Sequence, residues 1–159
     1  MSTSSEVRSN WNTYVFQNSD ILAITDKAYP FEVTQESEAE VSQGFTSSEI
    51  NFFEYVVTNS ETEFNQFGGG YGNNRQQRFI VEVRYTKYTG TDGSAFNDVI
   101  DALETLLDVV REDLGATWQG LVDFVENPIT VEQPQQAKFN ETDCYRAVAR
   151  FTAIKQILS

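Results

Sequence analysis

Hydrophobic positions along this chain switch between a helical and a strand period, and the switches mark out its elements. Behind Ser5, a capping residue, Val7, Trp11 and Tyr14 or Val15 recur at three- and four-residue spacing, which predicts a first helix through about Phe16. A short segment, Ser19 to Ile24, follows. Lys27 to Val33 then reads as the entry into an extended stretch, because Pro30 biases the residue before it away from the helical region. Residues 34–48, rich in Gln, Ser and Glu, read as a loop.

Glu49 to about Thr58 holds Phe52, Phe53, Tyr55, Val56 and Val57, aromatic and β-branched residues that suit a pleated surface, so a strand is predicted there. Asn59 to Asn74 sets Phe64, Phe67 and Tyr71 around Gly68, Gly69, Gly70 and Gly72, a composition that fits a flexible loop or a long hairpin arm. From Arg75 to Tyr88 the alternation is clearest. Phe79, Val81, Val83 and Tyr85 share one face of a strand, and Arg78, Ile80, Glu82, Arg84 and Thr86 share a mostly wet one.

Gly90 to Ser94 interrupts the strand, and Asp92 or Ser94 can cap what comes next. Phe96, Val99, Ile100, Leu103, Leu106, Leu107, Val110 and Leu114 then keep a 3.6-residue period, predicting a long helix over residues 95–114 that ends at Gly115. Leu121–Val125 and Ile129–Glu132 are short β-like runs around Asn127-Pro128, and Gln133 to Gln136 is polar. Asp143 to Ile157 alternates again, with Tyr145, Ala147, Ala149, Phe151 and Ala153 set against Arg146, Val148, Arg150, Thr152 and Ile154.

This order predicts an α+β fold: a mostly antiparallel β-sheet with the amino-terminal helix and one long helix packed on one face. At 159 residues, with no internal repeat or shift of composition, one domain spanning 1–159 is expected, with a possible inter-subunit arm at about 49–78.

Composition then narrows the chemistry. The chain has no histidine and a single cysteine, Cys144, which reads as a buried small hydrophobe. Without histidine the zinc folds and the usual nucleophilic triads have no basis, and no cofactor or metal site is expected. The glycines at 68–72 are followed by no Lys-Ser or Lys-Thr pair and no helix start, so they are not a phosphate loop. Carboxylate pairs could act as acid and base, but Glu82 and Arg84 beside Glu54 read more simply as cross-strand ion pairs on a solvated face.

A net charge of −13 argues against nucleic-acid affinity and against adsorption to anionic lipid. No apolar run is long enough to span a membrane and the amino terminus lacks the pattern of a signal peptide, so a protein made and used in a cytoplasm is expected. The long helix opposes its apolar stripe with Asp98, Asp101, Glu104, Asp108, Glu112 and Asp113, and with Arg111 as the one cation. Arg146 and Arg150 could meet carboxylates within the chain or on a neighbour. The aromatics from Phe52 to Tyr71 read either as core or as an arm that anchors on another subunit.

The succession Glu6–Phe16 helix, Phe79–Tyr88 strand, Ala95–Leu114 helix and Tyr145–Ile157 strand resembles the tail-terminator, or tail-completion, proteins of long-tailed bacteriophages. The likeness lies in the pattern of elements and covers most of the chain. It implies a structural virion protein assembled as a hexameric ring, which caps the tail tube, joins it to a head–tail connector or stopper protein, and lets DNA pass without specific binding. No catalytic residue comes with it. In that setting Phe64, Phe67, Tyr71, Arg75, Arg78, Arg146 and Arg150 are candidates for the subunit interface, and Asp98, Asp101, Glu104, Asp108 and Glu112 for an acidic lumen or rim. The long stretch between Gln35 and Asn74 departs from the smallest family members. A head–tail stopper or tail-tube subunit is the nearest alternative. From other classes, the chain could be a small ligand-binding domain with a pocket lined by Tyr55, Phe79 and Tyr85, or a monomer that binds a partner at its sheet edge.

Overall fold

The computed structural model describes residues 4–31, 33, 41, 45–46, 49–66, 73–90, 93–112 and 124–158. Helix α1 spans Ser4–Tyr14 and α2 spans Ser19–Leu22, where Asn18 caps α2 by accepting a hydrogen bond from the Asp20 N–H at 2.9 Å. The strands are β1 (Ala28–Tyr29), β2 (Asn51–Gln66), β3 (Asn73–Tyr88), β4 (Phe124–Val131), β5 (Gln135–Phe139) and β6 (Thr142–Leu158), and the long helix α3 covers Ala95–Glu112. They form a six-stranded sheet in the order β1-β2-β3-β6-β4, with β5 also on β6. Only the β1–β2 pair is parallel. This is the expected α+β architecture.

Both helices lie on the same face of the sheet, because their apolar stripes share one core with one alternating set of strand residues. Val7, Trp11 and Val15 from the α1 region and Val99, Leu103, Leu106 and Val110 from α3 close on Tyr55 and Val57 of β2, Phe79 to Tyr85 of β3, and Ala147 to Ala153 of β6. The small residues of β6 leave room for the helices to approach, while aromatics fill the space over β2 and β3. Trp11 sits at the centre, stacked on Phe151 at 5.7 Å between ring centroids and tilted against Phe16 and Tyr55.

The reverse face is less wet than its alternation predicts. At one end Val33, Val41, Ile50, Phe52, Phe139 and Cys144 make a second, smaller core, and Cys144 is buried there. Ile154, which shares its side of β6 with Arg146 and Arg150, is only 2% exposed. The expected loop over 34–48 falls largely outside the described residues, but its described members Val41 and Phe45 pack in this second core or against it.

Three strand boundaries differ from the sequence reading. β2 runs past its expected end near Thr58 and β3 begins at Asn73, forming the long hairpin that is one of the two alternatives for this region, with pairing from Asn51↔Lys87 to Gln66↔Asn73 and one register shift between Asn59 and Glu61. The two short runs around Pro128 are parts of one strand, β4, whose ladder on β6 breaks between Glu126 and Thr130. This fits proline's missing N–H and the extra residues of a bulge. The polar Gln135-Gln136 opens β5, which pairs with β6 through a two-residue turn at Asn140 (φ 45°) and Glu141 (φ 68°).

Candidate functional site

Three surfaces hold the residues singled out from the sequence. The first is the outer side of α3. Asp98, Asp101, Glu104 and Asp108 are all exposed and, at spacings of three and four, fall on one stripe of the helix. A cation from the sheet reaches one end of it: Lys87 Nζ lies 3.3 Å from Asp98 Oδ2. The stripe thus keeps most of its negative charge toward solvent, a layout that repels phosphate rather than binding it. Glu112 ends the described helix, and Asp113 lies outside the described residues.

The second surface is the charged middle of the sheet's reverse face. Arg150 donates from Nε to Glu82 Oε1 at 2.5 Å and from its other arm to Glu132, and these carboxylates hold its guanidinium even more firmly protonated. Arg84 pairs with Glu82 at 2.6 Å along the same strand. The sequence placed Glu54 on this solvated face too, and the structure corrects that. Its side chain is 1% exposed, its Oε2 accepts the Val33 N–H at 2.7 Å, and Arg146 lies 3.8 Å from its Oε1. Arg146 also donates from Nε to the Thr86 hydroxyl at 3.1 Å. Both Arg146 and Arg150 therefore have intramolecular carboxylates. What the alternation could not show is that Val33, three residues after Pro30, reaches the reverse face here and donates its N–H to Glu54.

The third surface is the β2–β3 arm. Phe64 and Arg75 are register partners in it, Arg78 pairs with Glu61 and Ile154, and Phe67 and Tyr71 lie outside the described residues. The arm has three strands rather than two, because β6 follows β3 as far as Asn74↔Leu158. This third strand was legible only in part, from the alternation that ends at Ile157.

Tyr55, Phe79 and Tyr85 are all core residues exposed by 1% or less. Tyr55 borders a cleft of about 270 Å³ with Ser5, Arg8, Ser9, Asn12 and Pro30, and Tyr85 borders a separate one of about 250 Å³ under α3 with Lys87, Asp98 and Asp101. The Tyr85 hydroxyl donates to Asn51 Oδ1, and Asn51 Nδ2 donates to the Ile24 carbonyl at 2.8 Å, which ties the end of α2 to the sheet. Among the described residues no group of three or more acidic or cysteine side chains is placed to hold a metal ion. No described helix is long and apolar enough to cross a membrane.

Burial pushes the Tyr55 hydroxyl up to about 12, against a smaller opposing pull from the Arg8 guanidinium, and raises Tyr85 as well with help from Asp98. In the unfolded chain such a tyrosine ionises near 10 and releases its proton first, so the folded form binds more protons between the two values. Stability is therefore full below pH 10 and falls as pH rises toward 12, by about 1.4 kcal/mol per pH unit for each such tyrosine. Urea midpoints at pH 8, 10 and 11 should show this decline, and Tyr55→Phe should flatten it. An unchanged slope in that variant would mean that Tyr55 titrates normally.

No protein-family profile matches the chain. A search of curated proteins likewise gives no significant match.

Proposed function

We propose that this chain is a structural virion protein of the tail-terminator kind, a subunit that forms a ring on the end of a tail tube and joins it to the head–tail connector. One observation carries the reading: the arm of β2, β3 and β6. These strands are 16, 16 and 17 residues long, and their pairing runs on to Gln66, Asn73 and Leu158, past the described rungs of β1 at Glu54 and of β4 at Ile154. Such an extension suits contact with a neighbouring subunit, since its backbone is already ordered by its own ladder. The acidic stripe on α3 supports the same role, because a ring would repeat it in every copy and give DNA a surface to slide past. On this reading the protein acts by assembly and carries out no reaction. The α3 helix favours a terminator over a tail-tube subunit, in which more strand and less helix would be expected.

Light scattering of the purified protein, with negative-stain imaging of the same sample, tests the proposal. Closed rings of about six copies, or monomers that cap added tail tubes, are expected. A monomer that does not join tubes would sink it. Phe64→Ser should weaken assembly at least tenfold while leaving the circular dichroism spectrum unchanged. If that variant unfolds instead, Phe64 belongs to the core and the arm is not an interface.

A further inference from the structure

The two long edges of the sheet are built differently. On one side, β4 and β5 contain or adjoin Pro128 and Pro134, and the β4 ladder is broken between Glu126 and Thr130. Missing donors and a bulge of this kind blunt an edge against further pairing. On the other side β2 runs from Asn51 to Gln66 with no proline. Its outer neighbour, β1, pairs only with Phe53 and Glu54.

The chain's course after β1 accounts for the shortness of that pairing. Pro30 ends the pairing, and by Val33 the backbone has crossed to the reverse face, where its N–H meets Glu54 and its side chain enters the second core. Val41, Phe45 and Ile50 join or border the same core, so these described points keep to the Phe52 end of the sheet. Among the described residues no strand pairs with β2 beyond Glu54 on its outer side.

The backbone groups at that edge can be assigned. The Phe53 N–H donates outward to the Lys27 carbonyl at 2.9 Å. By the alternation of an antiparallel pair, Tyr55 and Val57 turn their backbone groups the same way. The register shift between Asn59 and Glu61 moves this phase by one residue, so Thr62, Phe64 and Gln66 follow.

We propose that the β2 edge from Val56 to Gln66 is a docking site for an extended, basic, proline-free segment of a different protein, added as a new outer strand. Charge selects this occupant. Residues 56–66 include Glu61 and Glu63 and no Lys or Arg, in a chain of net charge −13. A second copy pairing β2 with β2 in antiparallel fashion about Thr62 would set Glu61 against Glu63 twice, and like charges directly opposite destabilise a strand pair. A second copy offering β4 or β5 would bring Glu126, Glu132 and the two prolines. A partner strand with Lys or Arg at alternate positions meets none of these costs and takes up the backbone donors and acceptors.

The site lies on the strand that also belongs to the arm proposed for ring contact, and its test separates the two. A fluorescein-labelled ten-residue peptide alternating Thr and Lys is titrated into the full chain by anisotropy, with the Thr–Glu peptide as control, and amide hydrogen exchange is followed with and without peptide. The basic peptide should bind at least tenfold more tightly than the acidic one and slow exchange at Val57, Thr62 and Phe64. Thr62→Pro, which removes an outward donor and leaves the β3 ladder bonds in place, should weaken binding at least tenfold. Glu61→Lys with Glu63→Lys, which keeps every backbone group, should reverse the preference between the peptides. Equal binding of the two peptides, no binding, or protection confined to α3 or the reverse face would overturn the assignment. So would concentration-dependent protection of β2 without peptide, which would make a second copy the occupant. Light scattering of the same peptide-free sample reads ring formation separately, so a failed peptide arm and a failed ring are told apart.

Discussion

Trp11→Ala is expected to destabilise the fold by about 3–5 kcal/mol, the range for removing a large buried aromatic. Trp11 has no exposed surface, and its ring meets Phe16, Tyr55 and Phe151. These neighbours come from the turn after α1, from β2 and from β6, so the cavity would open where three separate parts of the chain converge. Little collapse is available to fill it. Tyr55 is held from one side by its hydroxyl on the Arg8 carbonyl at 3.4 Å, and Phe151 by the β3 and β4 ladders around it. A single domain has about 5–15 kcal/mol of stability in total, so the variant should be partly unfolded at room temperature or lose a large part of its urea midpoint. Circular dichroism melts in urea would measure this. A loss below 1 kcal/mol would mean that α1 is not part of the cooperative core.

The helical layer was legible because its signals are local. The stripes of α1 and α3 repeat over several turns, so periodicity alone places Val7, Trp11, Leu103 and Val110 in the core, although Tyr14 and Phe96 of the same stripes are exposed. β3 was legible for the same reason with a period of two. Where the reading fell short, the deciding contact was remote in sequence. Thr86 alternates with Tyr85 and ought to be wet, yet it is fully buried, because Arg146 and the second core cover that end of the reverse face. β5 was missed because Gln135 and Gln136 have no β signature, and because Asn140-Glu141 lacks the glycine that usually marks a two-residue hairpin turn.

The candidate surfaces divide along the same line. The acidic stripe of α3 follows from spacing, and Asp98, Asp101, Glu104 and Asp108 are exposed as that spacing predicts. The partners of Arg146 and Arg150 depend on strand order, since β6 sits between β3 and β4 although the whole of α3 separates β3 from β4 in sequence. Sequence left neighbour and intramolecular carboxylates equally open for these arginines. The sheet places Glu82 and Glu132 on either side of Arg150, which fills much of its capacity for a partner subunit. Of the proposed interface residues, the two arginines of β6 are engaged by carboxylates of their own chain.

Arg146→Ala is expected to cost about 3 kcal/mol, more than Glu54→Gln, because the two changes leave different groups behind. Removing the arginine takes a cation from beside a carboxylate that is 1% exposed and cannot turn to water. Replacing Glu54 by glutamine removes the buried charge but keeps a side-chain oxygen for the Val33 N–H, and Arg146, 27% exposed, can regain water. That change should cost about 1 kcal/mol, near the value of a charged hydrogen bond exchanged for a neutral one. If the pair acts as a unit, the double variant should be less destabilised than the sum of the two single ones, by 1 kcal/mol or more. Urea midpoints for the four proteins give this coupling directly. Simple additivity would show that Arg146 holds the sheet through Thr86 instead, and that Glu54 is stabilised by the Val33 N–H and not by the arginine.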